Sequence, residues 1–469
     1  MANNGLPVER LRDYLRELKP EARAMLIAEL ERARLRGENI PAADLVLQEL
    51  RNAMPAGQSP PARVVDPMRL FCEPLEPFLV NEKPDRKSRG CISRQSLEAI
   101  WQWLIRDLVP VEAKAYSEQV ARVQATGDQK AAEQLARAFQ DRVLQRVQEA
   151  LGAVSHDDKA LRRLAGQIGV PQAIEELREI VSVLKGREAL AVLASRLPVS
   201  IRNLADEQLD HVKVLLDSPV AQHRDIFLYG IMLVRSRLAM PWQLIRLAVK
   251  AAASDEAARI ASTSYAVAVQ IVLTDVERAV ARLRAEIKSG KADAIEPLLK
   301  DIHDSARALR TEVDLSGDSP WARQLAQVRA DVSEMLKSAI ESAPGRVRRL
   351  LGPRARREIT PGSELDSIEV ADTEAIVELV SICRNYASEL AANEVTLRVF
   401  SELQSYLDTG MNPLLDALRQ ASDNDRSFRQ SQVDAAVRFS GKIFGPSYAS
   451  LFAKAAEVAA QGERKAAKA

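Results

Sequence analysis

Three features of the chain predict an all-α fold. Apolar residues recur at spacings of three and four, no alternating β-branched runs line up with hairpin turns, and Pro and Gly fall where the amphipathic segments start and stop. Aromatic residues make up only 4 %, which shifts the core towards Leu, Ile, Val and Ala packed between helices. At 469 residues the chain exceeds what one hydrophobic core organises, so the expected architecture is a multi-domain helical bundle.

Pro7 opens a first helix with Val8, Leu11, Leu15 and Leu18 on one face. Pro20 begins a second, and Pro41 a third after a stop at Gly37. Residues 6–52 therefore read as a small N-terminal three-helix unit. Residues 53–66 follow as a flexible linker, rich in Pro, Gly and Ser and too poor in apolar residues to fold alone.

Residues 67–342 read as the main helical domain, led by a Pro-rich segment. Pro74, Pro77 and Pro84 forbid a long helix there, while Leu70, Phe71, Leu75, Phe78 and Leu79 supply large apolar side chains. The segment is expected to lie extended against the helix that begins at Ser93, an N-cap, and carries Leu97, Ile100, Trp101 and Leu104. Docked, these side chains are anchors. Exposed, Phe71, Leu75, Phe78 and Leu79 form a partner-binding patch.

Farther along, Arg162-Arg163-Leu164-Ala165, Arg202-Asn203-Leu204-Ala205 and Ile245-Arg246-Leu247-Ala248 recur at about 40 residues, the spacing of helical solenoid repeats. The last two copies share an upstream Ser-Arg-Leu, at Ser195–Leu197 and Ser236–Leu238. This pattern suggests a short α-solenoid-like middle region, with an irregular bundle as its rival.

Residues 343–371 read as a connector, Arg-rich and then acidic. From Asp372 to Leu407 the spacing of Ile376, Leu379, Cys383, Tyr386, Leu390, Leu397, Phe400 and Leu407 predicts one long helix that opens a C-terminal bundle, 372–460. Val380, Ile382, Ala387 and Leu403 broaden its stripe beyond a two-stranded seam, which suits a bundle interior; homo-oligomerisation through the 372–407 helix is the alternative. Pro413 is read as the start of a short helix, and 461–469 as a frayed tail.

Chemistry is scarce in this chain. Four His and three Cys are scattered, and no nucleotide-binding, dinucleotide-binding or nucleophile-elbow motif occurs. His303 beside Asp304 and His156 beside Asp157 raise a dispersed metal or acid–base site that would also draw on His211 and His223, but a structural role fits such weak motifs better. Cys72, Cys91 and Cys383 lack the spacing of a zinc site, so no metal or cofactor is expected.

The sharpest local signal is Gly345–Arg357, where Arg346, Arg348, Arg349, Arg354, Arg356 and Arg357 make a candidate phosphate-binding cluster. Internal pairing with the acidic run from Glu364 to Glu378 is the competing reading. A net charge of +1 supplies no global field towards nucleic acid or membrane. The odd, widely spaced cysteines suit a reducing cytoplasm, the first ten residues carry no secretory signal, and no apolar run reaches the roughly 20 residues of a membrane span. The expected function is that of a cytoplasmic, non-catalytic scaffold or adaptor that binds other proteins. Nucleic-acid or anionic-surface binding through Arg346–Arg357 is the alternative, and an enzyme with a dispersed His/Asp site comes third.

Overall fold

A computed structural model describes residues 66–81, 87–125, 128–218, 224–289, 294–316, 319–386 and 393–466, together with six positions nearer the start. Those six are Leu15, Leu26, Leu30, Val46, Leu47 and Leu50; Leu15, Leu47 and Leu50 are buried in one small cluster. The remainder of the expected 6–52 unit and residues 53–65 lie outside the described residues. Helix dominates throughout, in a multi-helical all-α fold. The chain forms two compact units: Met1–Lys87 with Cys91–Lys185, and Ser88–Gly90 with Gly186–Ala469.

In the first unit the Pro-rich segment folds tightly instead of lying extended. Helix α1, Pro67–Cys72, is capped by the Asp66 carboxylate, which accepts from the Met68 N–H at 3.0 Å, and a 3-10 turn follows over Glu73–Phe78. Each element has a proline in its first turn, where the missing N–H costs no helical hydrogen bond. A two-residue strand β1, Leu79–Val80, then pairs in parallel with β2, Ile92–Ser93, a short exception to the expectation of no strands. Next come α2 (Arg94–Trp103), a π turn (Leu104–Leu108), α3 (Pro110–Ala125), α4 (Gln129–Val154), α5 (Asp158–Ile168) and the first half of α6 (Ala173–Arg196).

The centre of this unit is aromatic. Phe71 lies 5.4 Å from the Trp101 ring and 5.7 Å from Phe139, and Tyr116 stacks on Phe139 at 4.4 Å. Two polar bonds orient the cluster: the Tyr116 hydroxyl donates to the Pro67 carbonyl at 3.0 Å, and Gln140 Nε2 donates to the Phe71 carbonyl at 2.9 Å. Each large side chain buried here stabilises the fold by roughly 1.5–3 kcal/mol.

Ser93 stands at the N-cap of α2 as expected, but its side chain does not cap the helix. The cap comes from 83 residues farther on, where the buried Glu176 carboxylate accepts the Ser93 N–H at 3.2 Å. Lys87 Nζ lies 3.0 Å from the same carboxylate. Burial pushes the Glu176 pKa up, and Lys87 offsets only part of that cost.

The second unit is a ladder of helices. After the second half of α6 come α7 (Asp206–Leu216), α8 (Arg224–Arg237), α9 (Leu244–Ala252), the short α10 (Ala257–Ala261), α11 (Ala266–Ser289), α12 (Ile295–Glu312), α13 (Pro320–Ile340), α14 (Ala343–Leu351), α15 (Ser367–Tyr386), α16 (Asn393–Arg419), α17 (Arg426–Phe444) and α18 (Pro446–Ala466). Alternate helices pack in succession, α7 on α9, α9 on α11, α11 on α13, α13 on α15 and α15 on α17. One continuous apolar core runs from Val276 in α11 to Ala459 in α18 and takes in Val347, Leu350 and Leu351 of the expected connector.

Three expectations are corrected here. Residues 372–407 are not one helix, because the Arg384 guanidinium lies 4.2 Å from the Phe400 ring, whereas a continuous helix would hold those residues about 24 Å apart. Helices α15 and α16 instead fold back on each other, and Val380, Cys383 and Leu403 are core, as the broad stripe implied. Pro413 starts no helix but lies inside α16 on its exposed side, with Thr409, whose carbonyl loses the bond to the missing N–H, exposed there too. The Arg/Leu/Ala repeat is not structural: its copies fall in α5, in the connector before α7, and in α9.

Candidate functional site

The residues expected to bind a partner are interior. Phe71, Leu75 and Phe78 are 2 %, 0 % and 1 % exposed and Leu79 is half-buried, so the Pro-rich segment is docked and its large side chains offer no patch. The reason is packing, since α1 and its 3-10 turn close over Trp101 and Phe139.

The Arg-rich stretch is drawn inward as well. Ala343, Val347, Leu350 and Leu351 fall on one face of α14 and bury it in the core. Arg348 pairs with Glu402 and lies over the Tyr406 ring at 5.8 Å, Arg349 pairs with Glu369, and Arg354 lies over Phe428 at 5.1 Å. Of the acidic run, Glu369 serves the cluster, whereas Glu374 and Glu378 pair with Arg438 and Lys442 of α17. A buried polar network holds the helix end. Gln432 Nε2 donates to the Leu350 and Gly352 carbonyls at 3.0 and 3.1 Å, and Arg429 Nη2 donates to the Arg354 carbonyl at 2.6 Å. These bonds satisfy carbonyls that the end of a helix leaves without partners. Arg346 is half-buried and Arg357 exposed; the Arg356 side chain lies outside the described residues.

Among the described residues the histidines and cysteines do not gather at one place. His156 is exposed in the turn before α5, His211 approaches the Arg196 carbonyl at 3.3 Å, and His303 contacts Asp304 at 3.1 Å with the Tyr386 ring 5.7 Å away; His223 lies outside the described residues. Among the described residues no three His, Cys, Asp or Glu side chains converge on a metal position. Cys72, Cys91 and Cys383 are buried and form no disulfide, and burial pushes the thiols of Cys72 and Cys383 up to about 12, far from thiolate reactivity at neutral pH. Among the described residues no helix is long and apolar enough to cross a membrane.

The surface that does stand out is one the sequence barely marks. Of nine large apolar side chains exposed among the described residues, four lie between α6 and α9: Val192, Val199, Val214 and Met240. Val199 is the most exposed of the nine, at 83 %. It sits in the connector from α6 to α7, and Met240 in the connector from α8 to α9. An isolated parallel bridge joins the connectors at Ile201 and Leu238, with the Ile201 N–H donating to Arg237 O at 2.7 Å and the Ala239 N–H to Ile201 O at 2.9 Å. The buried Gln243 side chain completes the clasp, accepting the Leu204 N–H at 2.8 Å and donating to Asn203 Oδ1 at 3.3 Å.

The shared Ser-Arg-Leu explains why the two connectors correspond. In each copy the serine hydroxyl donates to a carbonyl three residues back, Ser195 to Val192 at 2.8 Å and Ser236 to Leu233 at 2.7 Å, at the end of the helix. The leucine that follows, Leu197 or Leu238, is buried. That repeated tripeptide was the one sequence signal for this surface. Comparison with protein families, with curated proteins and with solved structures finds no match.

Proposed function

We propose that the protein is a non-catalytic helical scaffold or adaptor that binds other proteins through the bridged connectors at 197–205 and 238–243. The observation that carries this reading is the exposure of Val199 and Met240 on two connectors that are bridged to each other and clasped by a buried glutamine. A clasped backbone presents such side chains without the ordering cost of a flexible loop, which favours association. Three buried cysteines without a disulfide suit a reducing compartment such as the cytoplasm. The phosphate-binding alternative draws less support, because Arg348 and Arg349 already hold carboxylates and Arg354 covers an aromatic ring.

The test is site-specific photo-crosslinking of the full chain in its native cells, with the reactive residue at position 199 and, as a control, at Val111, another exposed apolar position. Protein adducts in clear excess at position 199 are expected. Equal adducts at both positions, or adducts to nucleic acid alone, would sink the reading.

A further inference from the structure

The segment 87–93 converges on one buried carboxylate of the first unit. Glu176, on α6 and 1 % exposed, accepts the Ser93 N–H at 3.2 Å and faces Lys87 Nζ at 3.0 Å with the same oxygen. Lys87 Nζ also donates to the Cys91 carbonyl at 2.5 Å, which ties the two ends of the 87–91 turn. Ser93 lies in β2, opposite Val80 of β1, and stands at the N-cap of α2 without capping it through its own side chain. A turn, a strand pair and a helix start therefore depend on a group whose charge is set by one proton. The strands are two residues each, too short to hold the segment by themselves.

The charges around Glu176 oppose one another. The Lys87 ammonium, itself mostly buried, attracts the carboxylate, and Glu179 on α6 acts on it as a like charge. Arg94, at the start of α2, is directed instead to Glu76 at 3.3 Å and to Asn81 Oδ1 at 3.1 Å. Burial raises the affinity of Glu176 for a proton above that of an ordinary carboxylate, and Lys87 lowers it. Linkage makes the second effect reciprocal: an ammonium that weakens proton binding is itself held more weakly once the proton is bound. Global unfolding responds the other way. A carboxyl whose folded pKa lies above its unfolded one contributes stability that is complete at low pH and is lost as pH rises through the folded value, so the proton loosens this junction without favouring the unfolded chain.

We propose that Lys87, Glu176 and the Ser93 N–H form an acid-released latch: the carboxylate holds the ammonium and the start of α2 at neutral pH, and in mild acid the protonated carboxyl lets Lys87 swing to solvent and frees 87–93 while the rest of the first unit stays folded. The long lysine stem reaches water without moving the backbone far. The neutral carboxyl still accepts the Ser93 N–H, but as a weaker, uncharged partner. What the latch releases includes the β1–β2 pair and Cys91, which is 5 % exposed while the latch is closed.

The test is hydrogen–deuterium exchange of the full chain, read by mass spectrometry on peptides covering 87–97. The pH is lowered from neutral to the ordinary carboxylate range, and each value is corrected for the chemical exchange rate at that pH. The wild-type chain is expected to lose protection in this segment about tenfold or more on acidification, while peptides of α3 and α4 keep theirs. Glu176→Gln, neutral at every pH, should show the low protection already at neutral pH and no response to acid. Lys87→Gln leaves the carboxylate without its cation, so the midpoint of the remaining loss should move to higher pH; this variant decides the matter if Glu176→Gln does not fold. Flat protection in the wild type, an acid loss that Glu176→Gln shares, an unmoved midpoint in Lys87→Gln, or loss throughout the first unit at the same pH would each overturn the proposal.

Discussion

The stretch 343–357 and the bridged connectors at 197–205 and 238–243 present opposite relations between composition and exposure. The first crowds arginines into a short run, and the fold consumes much of that charge: α14 is seated in the core, and Arg348, Arg349 and Arg354 have partners on α15, α16 and α17. The second has an ordinary composition, yet Val199 and Met240 are exposed and Arg196 and Arg202 reach solvent. The difference teaches that density of a residue type along the chain is a poor guide to a surface when complementary residues fold against it. Phe71, Leu75 and Phe78 repeat the lesson in apolar form, since their size draws them into an aromatic core.

The largest test of this contrast is truncation of what is claimed to be interior. Phe71→Ala and Phe78→Ala should each destabilise the first unit by about 3–5 kcal/mol, because each removes a buried ring and leaves a cavity. Urea or thermal unfolding measures it; a loss under about 1 kcal/mol would return the Pro-rich segment to the list of surfaces.

Next comes the network beneath the Arg-rich helix. Arg429→Ala should cost about 3 kcal/mol, since Asp425 and the Arg354 carbonyl would lose a buried partner. Gly352→Ala should follow at about 1–3 kcal/mol, because a Cβ there would stand 2.6 Å from the Arg348 carbonyl oxygen and the helix end would have to shift. Denaturant titration of both variants, read against the wild-type chain, checks the order. If both were neutral, α14 would be an exposed arm and its arginines available to phosphates.

The smallest effects separate paired charge from open surface. Arg348→Ala and Arg349→Ala should each cost under about 1 kcal/mol, and less as salt is raised, as half-exposed ion pairs do. Val199→Ser should lie within about 0.5 kcal/mol of wild type. A larger effect at Val199 would show that the connector side chains serve the fold and not a partner.

Much of the architecture was legible in the chain. The spacing of Leu97, Ile100, Trp101 and Leu104, and of Leu379, Val380 and Cys383, marks buried helix faces, because a 3.6-residue period places those side chains on one side whatever lies beyond, whereas the apolar face of Val347, Leu350 and Leu351 went unread beneath the arginines of the expected connector. Where the helices break was less legible. The stripe from Ile376 to Leu407 keeps its period across residues 387–392, so periodicity alone reads one helix where the fold-back brings Arg384 onto Phe400. Of the candidate surface, only the repeated Ser-Arg-Leu left a trace, and it marks helix ends without saying that a bridge joins them.

By itself the sequence determined the helical class, the apolar faces of the helices and the absence of a motif for catalysis, since these follow from local periodicity and residue chemistry. Tertiary structure alone decided which groups meet: Glu176 at the start of α2, Gln432 and Arg429 at the end of α14, and Gln243 across two connectors. The physical reason is that a backbone group freed at a helix end or connector must be satisfied, but the side chain that does so is chosen by proximity in space, dozens of residues away along the chain. The same proximity settled which arginines around α14 gained carboxylate or aromatic partners.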